Sequence, residues 1–428
     1  MSWTHYENLS EKVFRRTLPN GLRVMVVPRP GFTKKLAYFV TEFGAIDLSF
    51  TLNGEEMELP QGTAHSLEHK LFDMPTMDVS AQFAALGASV NAFTSYDMTA
   101  YYFLCTEHFA ENLALLINFV STPYFTEESV QKEQGIIGQE IGMNIDNPDT
   151  RIFESLMCAM YETHPIRNPI LGTVESIANI TPQVLETAHK AFYRPENMLL
   201  CVVGDVDPEQ VCQIAEENLP EAKPVQVERK NHFPEEMSCQ KGLAECKMDV
   251  AMPTFQLGFK CENPGFGAEA VRQEMVADLA AEMLFGESSA LYLQMYQEGL
   301  IDSSFGGGFE TIKGMGVLTA SGDSFDALAV RDRILAEAQI ILRDGLDEKA
   351  FARIKRSTLG RRMRDLDSFD SLCFRICAYY FSGYDYFDFP GLYADIKPEE
   401  VTAFIRRVVL PERCSVSLIY PNSNTQEV

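Results

Sequence analysis

Proline-bounded helices followed by short apolar runs occur in the same order in both halves of the chain. In the first half, a helix predicted to begin at Pro182 ends before Pro195, and the apolar run Met198–Val203 follows. The second half repeats this order with Pro398, Pro411 and the run Val416–Tyr420. Proline is tolerated in the first turn of a helix and disfavoured in its interior, so each pair of prolines brackets one helix. The apolar runs predict buried strands.

A second echo supports the repeat. Phe125–Glu128 and Leu346–Lys349 each place acidic residues at the start of a predicted helix, where they favour the helix dipole. We interpret the chain as two copies of one α+β domain, each a mainly antiparallel sheet with helices packed on one face. Accidental recurrence of proline-bounded helices is the alternative.

The join between the two copies is predicted from composition. At 428 residues the chain is too long for a single core. The region from Leu219 to Cys246 is polar, charged and interrupted by proline, as expected of a linker. We therefore predict a metal-binding catalytic domain at 1–219, a linker at 220–245 and a second homologous domain at 246–428.

The segment His65-Ser66-Leu67-Glu68-His69 carries the clearest chemistry. In a helix, His65 and His69 lie one turn apart on one face, where two neutral imidazoles can bind one Zn²⁺. Glu68 lies on the same side and can reach a water on that metal, which is the zincin arrangement in inverted order. The alternative is a surface helix with two incidental histidines.

A third ligand is expected on a second helix. Glu133 and Glu140 are two turns apart, so their carboxylates share a helix face. One can bind the metal while the other holds a histidine N–H group. Spacing does not decide between these roles, and a solvated acidic face is the alternative for such a pair.

Composition limits the partners and the compartment. The formal net charge of −25 argues against nucleic acid and against an anionic membrane. We find no run of membrane-spanning length, and the polar first residues do not form a signal peptide. The 10 cysteines are scattered without a C-x-x-C motif, which favours free thiols in a reducing cytoplasm.

The segment Thr63–Phe72, followed by Asn91–Ser95 and the Glu133/Glu140 pair, resembles the pitrilysin/insulinase family of zinc metallopeptidases. The resemblance is dense in the first half and looser in the second. Within the family, the chain is similar to a short bacterial branch that includes the elongation factor P aminopentanol modification-associated proteins.

The resemblance implies roles for individual residues. It makes His65, His69 and Glu140 the ligands of one zinc ion per chain, Glu68 the general base, and Glu133 a support for a ligand. It also implies a fold equal to half of a peptidase clamshell. Substrate peptide would add as a strand beside the sheet edge; the residues placed there are Asn91, Ala92 and Phe93. An ordinary strand is the alternative for this last segment.

One family feature is missing. Family members that close around substrate carry, in a later domain, an arginine and a tyrosine that bracket a Gly-Leu or Leu-Gly pair. Aligned on Gly299-Leu300, these positions are Met295 and Asp302. The resemblance therefore implies that a homologous metal-free subunit supplies the pair in a heterodimer; a weakly active homodimer is the alternative.

Together these features predict a cytoplasmic zinc endopeptidase subunit that acts on short or unfolded peptides. Two other classes of function stay open. One is a non-proteolytic scaffold, and the other is an accessory factor in elongation factor P modification or peptide maturation. Histidine and carboxylate ligands would also accept Mn²⁺ or Co²⁺.

Overall fold

The computed structural model describes residues 2–74, 77–219, 225–230 and 233–422. The strands of the first half are β1 (Ser2–Tyr6), β2 (Glu11–Thr17), β3 (Arg23–Pro28), β4 (Lys35–Thr41), β5 (Ser49–Leu52), β6 (Glu55–Glu58), β7 (Asp73–Met74), β8 (Met77–Asp78), β9 (Ser89–Thr94), β10 (Thr99–Cys105), β11 (Met198–Gly204) and β12 (Val227–Arg229). Its helices are α1 (Thr63–Leu71), α2 (Val79–Ala85), α3 (Phe109–Ser121), α4 (Glu127–Ile145), α5 (Pro148–Met160), α6 (Val174–Ile177), α7 (Pro182–Phe192) and α8 (Pro208–Asn218).

The second half continues with fewer strands. They are β13 (Leu243–Met248), β14 (Thr254–Cys261), β15 (Gly306–Ile312), β16 (Met315–Asp323) and β17 (Cys414–Pro421). Its helices are α9 (Ala268–Phe285), α10 (Ala290–Gln297), α11 (Ala327–Asp344), α12 (Glu348–Asp365), α13 (Phe369–Phe381), α14 (Phe389–Asp395) and α15 (Pro398–Val408). In the described ranges, no helix combines the length and apolarity needed to cross a bilayer.

The two halves share one sheet topology. In the first sheet the described strands lie in the order β1-β2-β3-β11-β4-β10-β9, and in the second the order is β13-β17-β14-β16-β15. The parallel pair β3/β11 matches β13/β17. The other pairs in both five-stranded cores are antiparallel. The predicted α+β fold with two homologous domains is therefore confirmed.

The helices repeat in the same order as the strands. In each half, the β9/β10 or β15/β16 hairpin is followed by five α-helices, which precede the next strand, β11 or β17. The last helix begins at Pro182 in one half and at Pro398 in the other, as predicted. A single 3₁₀ turn then begins at Pro195 or Pro411 and leads directly into the buried strand.

Each domain places one helix on the sheet of the other domain. Helix α13 of the second domain covers the face of the first sheet that the helices of the first domain leave bare. The sulfur atoms of Cys373 and Cys201 are 3.8 Å apart in this contact. Helix α5 covers the second sheet in return. An added Cβ on Gly258 would lie 2.8 Å from the Met160 sulfur, so the approach of α5 to β14 is very close. The sequence pattern predicted helices on one face of each sheet and did not predict this exchange.

The predicted linker lies partly outside the described residues, at 220–224 and 231–232. Its described part is packed against both domains. Strand β12 pairs with β5 of the first domain. The Glu235 carboxylate accepts hydrogen bonds from the backbone N–H groups of residues 162–164 and pairs with Lys260 Nζ at 2.8 Å. The exact domain boundaries stay a prediction.

We expect Glu235→Gln to lower the free energy of unfolding by about 3–5 kcal/mol, because it leaves the buried Lys260 ammonium without a counter-charge. Although burial alone would raise it, the bonds from Lys260 and the backbone N–H groups lower the pKa of Glu235 to about 2. Its stabilising contribution is therefore full above the ordinary pKa of 4.5 and is lost as pH falls through about 2. Urea unfolding followed by circular dichroism measures the change.

The control for this substitution is Glu236→Gln, at the exposed neighbouring position. It removes the same charge without touching Lys260, and surface changes of this kind usually alter stability by about 0.5 kcal/mol or less. Equal unfolding curves for the two variants would contradict a structural role for the Glu235–Lys260 pair.

Candidate metal centre

Helix α1 starts at a position that only glycine can occupy. Gly62 has a left-handed φ of 87°, and an added Cβ would lie 2.4 Å from the carbonyl oxygen of Leu171. The helix that follows is buried, with 7% of His65 and 8% of Glu68 exposed. The His65 and His69 rings lie on one face with their centroids 4.5 Å apart. The predicted helical placement of the two histidines is present.

Helix α4 brings two carboxylates to this face. Glu140 Oε1 lies 3.7 Å from His65 Nε2, and Glu140 Oε2 lies 3.6 Å from His69 Nε2. On the other side of the same ring, His69 Nδ1–H donates to Glu133 Oε1 at 2.9 Å. The geometry thus separates two carboxylates that spacing alone could not distinguish. Glu140 faces both Nε2 atoms, whereas Glu133 orients one ring.

One metal ion fits between these atoms. Among the described residues, His65, His69 and Glu140 form the group whose ligand atoms all lie within 4.8 Å of one another. Metal–ligand distances of about 2.0–2.2 Å in a tetrahedron separate neighbouring ligand atoms by about 3.4 Å. Each histidine Nε2 lies at a similar distance, 3.6 or 3.7 Å, from its nearer oxygen of Glu140. Two imidazoles and one carboxylate are a donor set that catalytic zinc sites use, with the fourth position left to water or substrate.

The electrostatics of the two histidines differ. Burial, with a smaller effect from His69, lowers the pKa of His65 to about 3, so this ring is neutral. Burial acts in the same direction on His69, but its bond to Glu133 and the nearby carboxylates outweigh burial and raise its pKa. His65 Nδ1 is buried and has no hydrogen-bond partner in the described part of the chain. The carboxylates make the site attractive to a cation.

Glu68 lies beside the cluster without joining it. Its Oε2 accepts a hydrogen bond from Thr94 Oγ1 at 2.5 Å. Burial raises the pKa of Glu68, against the opposing effect of the Thr94 bond. Thr94 has no role among the site residues expected from the sequence. Strand alternation could have indicated one, because Thr94 lies two residues from Ala92 and therefore on the same face of the sheet.

The predicted substrate-binding residues lie on a free sheet edge. Strand β9 pairs with β10 on one side, and no described strand pairs with its other side. Ala92 faces the core on the α1 side of the sheet. Phe93 faces the opposite side, where its ring centroid lies 5.9 Å from that of Phe374 on α13. Asn91 is exposed and its Oδ1 accepts from the Ala92 N–H group. Contact of these three residues with a substrate stays a prediction.

The second domain has a salt bridge in the place of the metal cluster. Helices α9 and α12 and strand β15 correspond to α1, α4 and β9. Arg361 lies on α12, the helix that corresponds to α4, and forms an ion pair with Glu282 of α9. No second group of metal-ligating side chains occurs in the described ranges.

The two positions matched to the family arginine and tyrosine serve local structure. Met295 is fully buried in the apolar core of the second domain. Asp302 Oδ1 accepts hydrogen bonds from Ser304 N and Ser304 Oγ at 2.8 and 2.5 Å. Tyr296, the neighbouring tyrosine, lies on α10 and is half exposed. The segment therefore does not present an arginine–tyrosine pair.

Comparison of the sequence with known families gives two adjoining matches. Residues 54–174 match the family described as insulinase (peptidase family M16), and residues 179–358 match the peptidase M16 inactive domain. The break between the two matches lies before β11 in the chain. The second match therefore includes the last strand of the first sheet. An uncharacterized zinc protease of Bacillus subtilis, YmfH, is 37% identical over 98% of this chain and 99% of its own length. An uncharacterized zinc protease of Mycobacterium leprae is 29% identical over 49% of this chain and 46% of its own.

Solved structures show the same architecture. An M16-like peptidase from Alicyclobacillus acidocaldarius superposes with a TM-score of 0.92 at 33% identity, over 96% of this chain and 99% of that one. A protease from Helicobacter pylori superposes with a TM-score of 0.81 at 19% identity, over 96% and 100% of the two chains, and shows the fold alone.

Proposed function

The chain belongs to the insulinase family of peptidases (family M16), and from that premise we propose that it is a zinc-dependent endopeptidase subunit. The observation that carries the proposal is the convergence of His65, His69 and Glu140 on one point, with the Glu68 carboxylate beside them. A non-proteolytic scaffold does not need a buried carboxylate beside the metal cluster of His65, His69 and Glu140. Burying an ionised carboxylate costs free energy.

The roles follow from the chemistry of each side chain. His65, His69 and Glu140 would hold the zinc ion, and Glu133 fixes the His69 ring through its Nδ1–H group. Zinc held there supplies acidification of a water and polarisation of the scissile carbonyl. Glu68 takes the proton from the attacking water and returns it to the leaving amine.

Substrate is positioned by the free edge of β9. An extended peptide adds to this edge through backbone hydrogen bonds, as in other cases of β-augmentation. Asn91, Ala92 and Phe93 are the residues beside which the peptide is proposed to lie. The Phe93 side chain is already packed on the second domain, so the strand meets the peptide through its backbone. This mode of binding requires an extended chain, so short or unfolded peptides are the proposed substrates.

The active unit is proposed to be a heterodimer. Met295 and Asp302 leave this chain without the arginine–tyrosine pair, so a homologous metal-free subunit supplies it. A homodimer would contain the same gap twice. We also propose a cytoplasmic location, which the free thiols of the described cysteines support, and neither nucleic acid nor membrane as a partner for a chain of net charge −25.

The test measures cleavage of a quenched fluorogenic peptide library by the zinc-loaded chain, alone and mixed with a homologous subunit that carries the arginine–tyrosine pair. We expect the rate to rise about 10²- to 10³-fold on mixing, the effect of restoring one donor to the developing oxyanion. An equal rate for the chain alone would contradict the split site. Stoichiometric zinc without hydrolysis in either preparation would favour the scaffold or accessory function.

A further inference from the structure

Glu68 is held by one side chain. The hydroxyl of Thr94 donates to its Oε2, and the carboxylate has no other hydrogen bond within the described part of the chain. The different flexibility of the Glu68 and Thr94 side chains explains why this single hydrogen bond matters. A glutamate side chain has three rotatable bonds, whereas a threonine has one stiff χ1 angle on a strand paired to its neighbour. The strand therefore fixes the carboxylate, and the carboxylate does not fix the strand.

Strand β9 is itself fixed on both faces. Its backbone pairs with β10 from Ser89 to Thr94. On the face away from α1, Phe93 packs against the Tyr38 and Tyr102 rings and against Phe374 of the second domain. On the α1 face, Thr94 reaches Glu68. The strand that presents its free edge to substrate thus also carries the group that holds the base.

We propose that Thr94 is a positioning residue that orients the Glu68 carboxylate and couples its placement to the substrate-binding edge of β9. The inference rests on the proposed function, which it deepens. By occupying Oε2, the hydroxyl leaves Oε1 of Glu68 to receive the proton of the attacking water. Without the Thr94 hydroxyl, the Glu68 side chain samples several staggered rotamers, and only some of them direct the carboxylate towards the metal cluster.

The paired variants are Thr94→Val, which keeps the shape and removes the hydroxyl, and Thr94→Ser, which keeps the hydroxyl. We expect Thr94→Val to lower kcat about 10²-fold, the usual cost of misplacing a reacting group by roughly 1 Å. KM should hardly change, because the lost contact acts in the transition state. Thr94→Ser should restore most of kcat. Zinc content, measured by atomic emission, should equal that of the unchanged protein in both variants.

Two controls separate positioning from general damage. Thr41→Val removes another buried strand hydroxyl, which donates to the Phe192 carbonyl at 2.7 Å, and should lower stability without lowering kcat. Thr94→Val made in a Glu68→Gln background should cause no further loss, because a residue that acts through Glu68 has nothing left to orient. Additive losses, or failure of Thr94→Ser to restore kcat, would overturn the proposal.

A structural readout keeps the inference testable if the peptidase function fails. Hydrolysis that is absent from the unchanged protein even with the homologous subunit present, or that is unaffected by Glu68→Gln, would disprove the proposed function and not the role of Thr94. Crystal structures of the zinc-loaded Thr94→Val and Thr94→Ser proteins then decide. We expect the Glu68 carboxylate to be displaced in the first and in place in the second. An unmoved carboxylate in Thr94→Val would refute the positioning role.

Discussion

Replacing Glu68 by glutamine is expected to slow peptide hydrolysis about 10²- to 10⁴-fold while one zinc ion stays bound per chain. Glutamine has nearly the same shape and can still bond to Thr94, but its amide cannot accept a proton from water. Glu68 is not one of the three proposed ligands, His65, His69 and Glu140, so the substitution leaves these side chains in place. Initial rates on a fluorogenic peptide and zinc content by atomic emission measure the two effects separately.

The control for this substitution is Glu128→Gln on the exposed first turn of α4. It removes one acidic charge from the same domain without contacting the metal cluster, so its rate should equal that of the unchanged protein. If Glu68→Gln kept the full rate, another group would be the base. If it lost zinc as well, Glu68 would have to be counted among the ligands.

Replacing His65 by alanine is expected to abolish stoichiometric zinc binding and with it all hydrolysis. The change removes one of the three proposed ligands. The remaining imidazole and carboxylate lie on different helices, and no other side chain of the described residues belongs to their group. Competition against a zinc-binding dye measures affinity in the absence of substrate. The same measurement with Mn²⁺ and Co²⁺ shows whether the loss extends to other divalent ions.

A graded comparison makes the ligand assignment sharper. Glu133→Gln keeps a hydrogen-bond acceptor near His69 Nδ1 but removes the charge, and changes at such supporting positions usually weaken metal affinity about 10- to 100-fold. Glu140→Gln should weaken it more than Glu133→Gln does. The reverse order would exchange the roles of the two carboxylates and contradict the geometry described above.

The metal cluster could be anticipated because its spacing is local. Residues four and seven apart lie on one face of any α-helix, so the relation of His65 to His69, and of Glu133 to Glu140, follows from helix geometry alone. The contact between the two helices does not follow from helix geometry. The position of Glu140 at the two Nε2 atoms depends on how α4 packs against α1, and only the resemblance to a family indicated this packing in advance.

The contacts that the sequence missed join residues far apart in the chain. The Thr94–Glu68 bond, the Glu235–Lys260 pair and the packing of α13 on the first sheet all depend on tertiary structure. Hydrophobic periodicity reports which face of an element is buried and not what buries it. Helix α13 shows an ordinary apolar face in the sequence, and nothing local in it identifies the other domain as its partner.

The exchange of α5 and α13 determines where related chains can be recombined. A chimera joined at residue 219 would combine one parent's first sheet with the other parent's α13, and would mismatch side chains such as Cys201 and Cys373 across a fully buried contact. Such a mismatch creates cavities or overlaps in two cores at once. The structural unit that has to be exchanged intact between related proteins is therefore a sheet together with the helix that covers it from the other half. A substitution in the second half, at Phe374 for example, therefore changes the packing of β9, the strand whose Thr94 contacts Glu68.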